Sequence, residues 1–289
     1  MLFLTSERLV LYARLARLHR PIGWLLLLWP TLWAVWIAGQ GRPAPWIVAV
    51  FVSGVVVMRA AGCVINDVFD RHFDSKVSRT KDRPLATAEV SVTEALVLFA
   101  VLLLCALGLV LTLNRETVLL ATGGVFIAVT YPLFKRFTYL PQVYLGIAFS
   151  WGIPMAFAAQ TGTVAPVAWA LLFANLLWTV AYDTMYAMAD RPDDTRIGVK
   201  STAILLGRYD RPTNTILQLL ALSVLALIGY RLDLNSAFYL GLFGAAATIA
   251  YQHWLCRDRD PVLCLKAFIN NTWFGASVFA GILLSYATT

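Results

Sequence analysis

The chain has 289 residues, of which 60% are hydrophobic and only 13% are charged. Ordinary soluble domains are about 45–50% apolar and about 25% charged. Together with a mean hydropathy of +0.71, these values exclude a disordered chain and a nucleic-acid-binding protein. They also argue against a single water-soluble globule, because too few polar residues are present to cover so much apolar mass. The net charge of +7 therefore has to be interpreted from where the cations lie relative to the apolar runs.

The first twenty residues carry four arginines with apolar residues between them, and no signal-peptide cleavage site follows. This pattern predicts a short amphipathic helix that lies on an anionic membrane face.

Beyond this segment, nine apolar runs are long enough to cross a hydrocarbon core of about 30 Å, which requires about 20 residues per helix. They predict an all-α, polytopic membrane protein. The predicted spans cover residues 21–39, 46–65, 94–113, 117–134, 140–160, 165–187, 213–230, 236–254 and 267–286.

The Lys and Arg residues lie almost entirely on one side of these spans. The N-terminal segment and the loops on its side contain 19 of them, and the opposite loops contain only 3. Cytoplasmic loops are enriched in Lys and Arg, so we expect the N-terminus in the cytoplasm and the C-terminus outside. The long loops 66–93 and 188–212 then lie on the cytoplasmic face. Arg59 is an exception, because it lies within the second span.

Acidic residues cluster at the cytoplasmic ends of two spans. The first cluster continues the second span and contains Asn66, Asp70 and Asp74. At about 100° per residue, positions four apart differ by only about 40°, so these three side chains line one helix face.

The second cluster continues the sixth span. Asp183 and Asp190 are seven residues apart and also share a face. Pro192 disfavours a helical conformation at the residue before it. We therefore expect Asp190 at a helix end and Asp194 on a turn or a new helix beyond it.

Two carboxylate clusters at matching helix ends favour a divalent cation site. Acidic residues near the hydrocarbon boundary are costly and usually functional. Hard oxygen ligands suit Mg²⁺, which takes one or two carboxylates together with the phosphate oxygens of a substrate. The alternative is that these residues are solvated interfacial charges balanced by neighbouring arginines.

Cations interspersed with the carboxylates are what a diphosphate substrate requires, because they neutralise the oxygens that the metals leave unbound. Each of them also satisfies the positive-inside pattern, which is the simpler explanation for any single residue. No nucleotide-binding glycine motif is present. The candidates for substrate binding are Lys81, Arg83, Lys135, Arg136 and Lys200.

The motifs resemble those of the UbiA superfamily of intramembrane prenyltransferases. N-x-x-x-D-x-x-x-D is followed by K-D-R-P-L at 81–85, and D-x-x-Y-A-x-x-D-x-x-D-D is followed by G-V-K-S-T at 198–202. The second motif is especially similar to that of the bacterial 4-hydroxybenzoate polyprenyltransferases of the ubiquinone pathway. The likeness extends over nearly the whole chain.

This resemblance implies nine transmembrane helices around a central cavity capped by cytoplasmic loops, in a bacterial inner membrane. It implies a transmembrane domain over 21–289 after a cytoplasmic segment over 1–20. It also implies polyprenyl diphosphate and 4-hydroxybenzoate as substrates and membrane lipid around the protein. Two Mg²⁺ ions would then bridge the diphosphate through Asn66, Asp70, Asp74, Asp190 and Asp194.

The expected reaction is an electrophilic aromatic substitution, with Asp70, Asp74, Asp190, Asp194 and Arg136 as the catalytic residues. An allylic cation forms in a dry pocket, and the phenol ring attacks it ortho to the hydroxyl. Asp183 or Asp67 is a candidate to assist loss of the ring proton, or else supports the metal ligands. Arg59 is a candidate to bind the acceptor carboxylate, or else a partner of the acidic clusters.

Two alternatives stay open. In the first, the protein is a prenyltransferase of the same family whose acceptor is a naphthoate, homogentisate or another ring. In the second, the protein is a cation-coupled transporter. A transporter is expected to place ionisable residues near the bilayer midplane. The acidic clusters lie at the ends of the predicted spans, which favours the enzyme.

Overall fold

The structure, a computed structural model, describes residues 5–75 and 80–288. Within these ranges the side chains of His72, Phe73, Pro132, Lys135 and Arg136 lie outside the description. The described residues form twelve α-helices and two short 3₁₀ turns, without a β-strand. In chain order the helices are α1 Ser6–Leu15, α2 Ile22–Ala38, α3 Pro45–Asp74, α4 Val92–Val110, α5 Arg115–Phe137, α6 Pro141–Ser150, α7 Gly152–Thr161, α8 Pro166–Ile197, α9 Thr202–Leu206, α10 Asp210–Arg231, α11 Ser236–Leu255 and α12 Pro261–Ala287.

Local residues determine where several of these helices begin and end. Ser91 and Glu94 form a reciprocal capping box at the start of α4. The Asn114 side chain accepts a hydrogen bond from the backbone of Thr117 at the start of α5. Gly198 ends α8 with a left-handed φ of +74°, which residues with a Cβ rarely adopt.

Every predicted span overlaps a helix of the structure, with α6 and α7 together occupying the fifth. Among the described residues, six stretches are long and apolar enough to cross a membrane. A further apolar helix, α2, has 17 residues. The remaining two predicted spans correspond to α5 and α11, which are not among the six.

Large apolar side chains cover the outside of the helix bundle. Leu104 on α4, Phe126 on α5 and Phe243 on α11 are each more than 60% exposed. Contiguous apolar surfaces of this kind are rare in water, whereas a lipid environment requires them. The all-helical architecture and this surface together agree with the predicted membrane protein.

The core is centred on α8, whose side chains are buried on several faces. Trp178 of α8 stacks between Trp33 of α2, at 5.5 Å between ring centroids, and Phe274 of α12, at 4.7 Å. Both indole N–H groups are satisfied, because Trp33 donates to the Gly275 carbonyl and Trp178 donates to the Asn271 side chain. This cluster fixes α8 against two neighbouring helices before α8 reaches the carboxylates at its end.

The expected helix end near Asp190 is wrong, because α8 continues through Pro192 to Ile197. A proline inside a helix removes the hydrogen bond that its nitrogen would donate, and its ring crowds the carbonyl four residues earlier, here that of Met188, so the helix needs other contacts to continue. The Arg191 side chain anchors this turn from outside the helix, since it donates to the Ala203 carbonyl at 2.8 Å. Asp194 therefore lies on the same helix as Asp190.

The N-terminal helix is shorter than the predicted segment and is held by protein contacts. Arg8 donates to the Glu89 carbonyl at 2.7 Å, and Arg14 donates to the Asp82 carbonyl at 3.2 Å. Leu15 is completely buried, whereas Leu9 on α1 is 51% exposed. The arginines thus contact the loop before α4, and the predicted contact of this helix with a membrane face stays a prediction.

The distribution of charge predicts the orientation of α8, which spans about 48 Å at 1.5 Å per residue. We expect Thr195→Cys, in a background without Cys63, Cys105, Cys256 and Cys264, to resist a membrane-impermeant maleimide in intact cells and to react after lysis. The matched control is Thr163→Cys, an exposed threonine before the other end of α8, which should react in intact cells. The reverse labelling pattern would contradict the orientation.

Candidate active site

A cavity of about 1770 Å³ lies inside the helix bundle, with walls from α2 to α8 and from α12. One end of it is polar and lies where α3 and α8 end. Most of the remaining wall is apolar. The cavity therefore combines a charged end with a hydrophobic interior.

The α3 side of the polar end carries the first acidic cluster. Because α3 continues to Asp74, it holds Asn66, Asp70 and Asp74 at successive turns, and all three line the cavity. The Asn66 amide donates a hydrogen bond to Asp70 at 2.9 Å. The shared helix face predicted from the spacing is confirmed.

A chain of ion pairs connects this cluster to the N-terminal segment. Arg17 and Arg83 both donate to Asp67, the latter at 3.0 Å, and Arg83 also donates to Asp74 at 2.7 Å. Asp67 and Asp74 are buried. Burial raises the pKa of the Asp74 carboxyl above its ordinary value, and the adjacent Arg83 guanidinium opposes that increase.

The α8 side of the polar end carries the second cluster. Asp183, Asp190 and Asp194 all line the same cavity as the residues of α3. Asp194 shares a helix with the other two because α8 continues through Pro192. The structure thus brings together two oxygen-rich helix ends that are more than 100 residues apart in the sequence.

The predicted cations divide into three groups. Arg83 and Lys200 line the cavity, and the Lys200 ammonium lies 5.2 Å from the Tyr139 ring centroid. Lys81 is exposed and is not a lining residue, because the turn directs Arg83 inward and Lys81 outward. The side chains of Lys135 and Arg136 lie outside the described part of the chain.

Arg59 lies on the cavity wall about two helical turns before Asn66. Its guanidinium is 5.7 Å from the centroid of the Phe149 ring. An added Cβ on Gly23 would lie 2.6 Å from its Nε, so this glycine makes room for the side chain. No described carboxylate forms an ion pair with Arg59, which weighs against its being a partner of the acidic clusters.

An apolar arm extends the cavity away from the carboxylates. Val110 at the end of α4 lines it, as do Val118 near the start of α5 and Val50 near the start of α3. The sixteen residues from Val50 to Asn66 correspond to about 24 Å of helix. The arm is therefore nearly as long as a hydrocarbon core of about 30 Å is thick.

Comparison with known proteins identifies the family. The model of the UbiA prenyltransferase family matches residues 27–278. The chain belongs to this family. Membership makes the protein a prenyltransferase of the membrane and sets aside the transporter alternative.

A curated relative from Methylococcus capsulatus is similar to this UbiA-family chain over almost its full length. The two proteins are 57% identical over 275 residues, which cover 95% of this chain and 94% of the relative. That relative is named 4-hydroxybenzoate octaprenyltransferase.

Solved structures share the fold at low sequence identity. The apo structure of a UbiA homologue from Aeropyrum pernix K1 has a TM-score of 0.79 at 22% identity, covering 90% of this chain and 97% of that one. A UbiA homologue from Archaeoglobus fulgidus bound to GPP and Mg²⁺ has a TM-score of 0.73 at 19% identity, covering 94% and 99%.

The oxygen donors of this UbiA-family cavity suit Mg²⁺ shared with a substrate. Among the described residues, no group of three His, Cys, Asp or Glu side chains is placed to hold an ion. Mg²⁺ usually keeps several waters and takes only one or two carboxylates plus phosphate oxygens. Carboxylates on two separate helix ends fit such a shared site better than an ion held by protein alone.

Sequence reasoning missed two charged groups near the site. Arg17 was assigned to a membrane face, yet it binds the buried Asp67. Asp210 was not singled out, yet it accepts hydrogen bonds from Arg191 beside the second cluster. The only signal for Asp210 was an acidic residue close before an apolar run, and Arg17 had no distinguishing signal.

Proposed function

We propose that this protein transfers a polyprenyl group from a polyprenyl diphosphate to 4-hydroxybenzoate, at the ring carbon ortho to the hydroxyl, in ubiquinone biosynthesis. The observation that carries this proposal is the cavity, which joins two carboxylate-bearing helix ends to a long apolar arm. A diphosphate with an isoprenoid tail has the same two parts. The name of the Methylococcus capsulatus relative supports 4-hydroxybenzoate as the acceptor.

We further propose that the protein has nine transmembrane helices and a cap formed by its cytoplasmic loops. It would lie in a bacterial inner membrane with the N-terminus in the cytoplasm. Residues 1–20 then form a separate cytoplasmic segment before the transmembrane domain over 21–289. The overlap of every predicted span with a helix supports the helix count. The excess of Lys and Arg on one side supports the orientation.

Two Mg²⁺ ions are the proposed cofactors. Asn66, Asp70 and Asp74 would hold one side of the metal–diphosphate group, and Asp190 and Asp194 the other. When bound, the ions neutralise the diphosphate and promote its departure from the allylic carbon. The Mg²⁺ and GPP named with the Archaeoglobus fulgidus homologue support this arrangement.

The cations of this chain would bind the remaining diphosphate oxygens. Arg83 and Lys200 line the polar end and donate charge-assisted hydrogen bonds there. Lys81, Lys135 and Arg136 are proposed for the same task from their positions in the sequence. Because Arg83 already contacts Asp74, it lies between the carboxylates and the space for the diphosphate.

The apolar walls would exclude water, so that the allylic cation meets the aromatic ring instead of a competing nucleophile. Diphosphate leaves first, a carbon–carbon bond then forms at the ortho position, and the ring carbon loses its proton. Asp67 is held by two arginines, which suits support of the neighbouring ligands. Asp183, which also lines the cavity, is proposed to receive the proton.

The direct test of this function uses purified protein in detergent with Mg²⁺, a polyprenyl diphosphate and a panel of aromatic acceptors. We expect 3-polyprenyl-4-hydroxybenzoate as the main product, identified by mass spectrometry. Homogentisate carries its carboxylate on a methylene arm and dihydroxynaphthoate has a second fused ring, so neither matches the size and carboxylate position of 4-hydroxybenzoate, and both should react far more slowly. Preferential prenylation of either would show that the acceptor is a different one.

Metal dependence follows from the oxygen donors at the two helix ends. We expect Asp70→Ala and Asp190→Ala each to lower turnover by about a hundredfold or more, since each removes charge that positions the leaving group. Asp193→Ala is the matched control, because Asp193 contacts only the exposed Arg196 among the described ion pairs, at 3.9 Å. Chelation should abolish wild-type turnover until Mg²⁺ is restored, and full activity in EDTA would refute the metal site.

Arg59 is proposed to bind the acceptor carboxylate. A paired Arg and carboxylate usually share two parallel hydrogen bonds, so the loss of Arg59 affects acceptor binding first. We expect Arg59→Ala to raise the KM for 4-hydroxybenzoate at least about tenfold more than the KM for the diphosphate. Arg59→Lys keeps the positive charge but cannot form the two parallel hydrogen bonds of a guanidinium. Its KM for 4-hydroxybenzoate should therefore lie between those of the wild type and of Arg59→Ala. Equal changes in both KM values would exclude this role.

A further inference from the structure

Beside the active site, but outside the cavity lining, one carboxylate binds two guanidinium groups. Asp210, the first residue of α10, is completely buried. It accepts hydrogen bonds from Arg191 at 2.5 Å and from Arg259 at 2.9 and 3.0 Å. The backbone N–H of Arg211 donates a further bond at 2.6 Å. None of these residues lines the cavity, so their contribution to the reaction has to be indirect.

This cluster ties together three segments that are distant in sequence. Arg191 lies on the last turns of α8 and also donates to the Ala203 carbonyl of α9. Arg259 follows the 3₁₀ turn before α12 and also donates to the Arg208 carbonyl at 2.9 Å. The Asp210 carboxylate is the point at which the end of α8, the start of α10 and the approach to α12 meet.

The backbone near Arg259 indicates that the arrangement is held firmly. Arg259 has a φ of +57°, in the left-handed region that is unfavourable for residues with a Cβ. Such a conformation persists where the surrounding contacts over-determine it. The three hydrogen bonds from Arg259 to Asp210 and the bond to Arg208 provide those contacts.

Stability alone does not explain a buried carboxylate with two arginines. Well-packed apolar residues often stabilise a protein as much as a buried ion pair does, whereas ion pairs fix geometry. Here the fixed element is the end of α8 around Pro192, where one helical hydrogen bond is missing. Asp190 and Asp194 lie on either side of Arg191 in this part of the helix.

We propose that Asp210 is a positioning residue for the second metal-binding carboxylate pair. Through Arg191 it holds the end of α8 so that Asp190 and Asp194 face the diphosphate across the cavity from α3. Metal sites lose affinity when the groups behind their ligands are removed, typically by about 10–100-fold. This inference rests on the proposed function, in which these aspartates hold Mg²⁺.

The experiment compares variants that weaken different sides of the cluster. Asp210→Asn removes the charge that binds Arg191, and Arg191→Gln removes the same pair from the other side. Arg259→Ala is the matched control, because it takes one guanidinium from the same carboxylate but leaves the Arg191 bond intact. Asp210→Glu keeps the charge and tests for rescue.

Two readouts separate positioning from general stability. The first is Mn²⁺ affinity, from the electron paramagnetic resonance signal of free Mn²⁺, with an unreactive methylene diphosphonate present. The second is thermal unfolding without metal.

We expect Asp210→Asn and Arg191→Gln each to weaken Mn²⁺ binding about tenfold or more. The double variant should bind Mn²⁺ no more weakly than either single variant does. Asp210→Glu should recover part of that loss. Arg259→Ala should lower the unfolding temperature with less than about a twofold change in affinity.

Several outcomes would overturn the inference. Unchanged Mn²⁺ affinity in folded Asp210→Asn is one, and an equal loss of affinity in Arg259→Ala is another. If Asp210→Asn does not fold, Arg191→Gln decides the question on the same terms. A wild-type protein that binds no Mn²⁺ and transfers prenyl groups in EDTA would refute the proposed metal site on which this inference rests, and a wild-type protein that transfers no prenyl group to any acceptor would refute the proposed function. Metal-dependent wild-type protein with unaffected variants refutes only the role of Asp210.

Discussion

Carboxylates that lie beside hydrocarbon need cations next to them, because an unpaired charge in a low-dielectric environment is strongly destabilised. This constraint organises the polar end of the protein. Asp67 is paired with Arg17 and Arg83, and Asp210 is paired with Arg191 and Arg259. The clusters on α3 and α8 concentrate more acidic groups at one cavity, which is where divalent cations and a diphosphate are proposed to complete the balance of charge.

One helix, α8, connects the packed core to this polar end. In its middle, α8 is fixed by Trp178, which stacks on aromatic rings of α2 and α12. At its end, the same helix carries Asp190 and Asp194 and is held by Arg191. Because core packing and the Asp210 contact act on a single rigid element, the carboxylates are positioned from both directions.

The apolar arm explains why the reaction is housed in a membrane protein. Its walls run from the carboxylates to the start of α3 and the end of α4, so the hydrocarbon tail of the proposed donor would remain in an apolar environment while its diphosphate stays at the polar end. The same walls keep water from the reacting carbon. Solubility of the donor and selectivity of the chemistry thus depend on the same structural feature.

The elements that depend on local pattern were predictable from the sequence. Apolar run length located the helices, and four-residue spacing placed Asn66, Asp70 and Asp74 on one face of α3. Predictions failed where distant contacts decide the result. The helix continues through Pro192 because Arg191 is anchored on α9 and α10. The ion pair between Arg17 and Asp67 is likewise a contact that the sequence pattern does not predict. No spacing rule links residues 17 and 67, or 191 and 210.

The central claim is that metal ions and a diphosphate lie between the ends of α3 and α8. Its most direct test is an anomalous difference map from crystals grown with Mn²⁺ and a non-reactive polyprenyl thiolodiphosphate. The account predicts two peaks that bridge the phosphates, one next to Asp70 and one next to Asp190. A diphosphate held by arginines without a peak, or peaks remote from both helix ends, would contradict it.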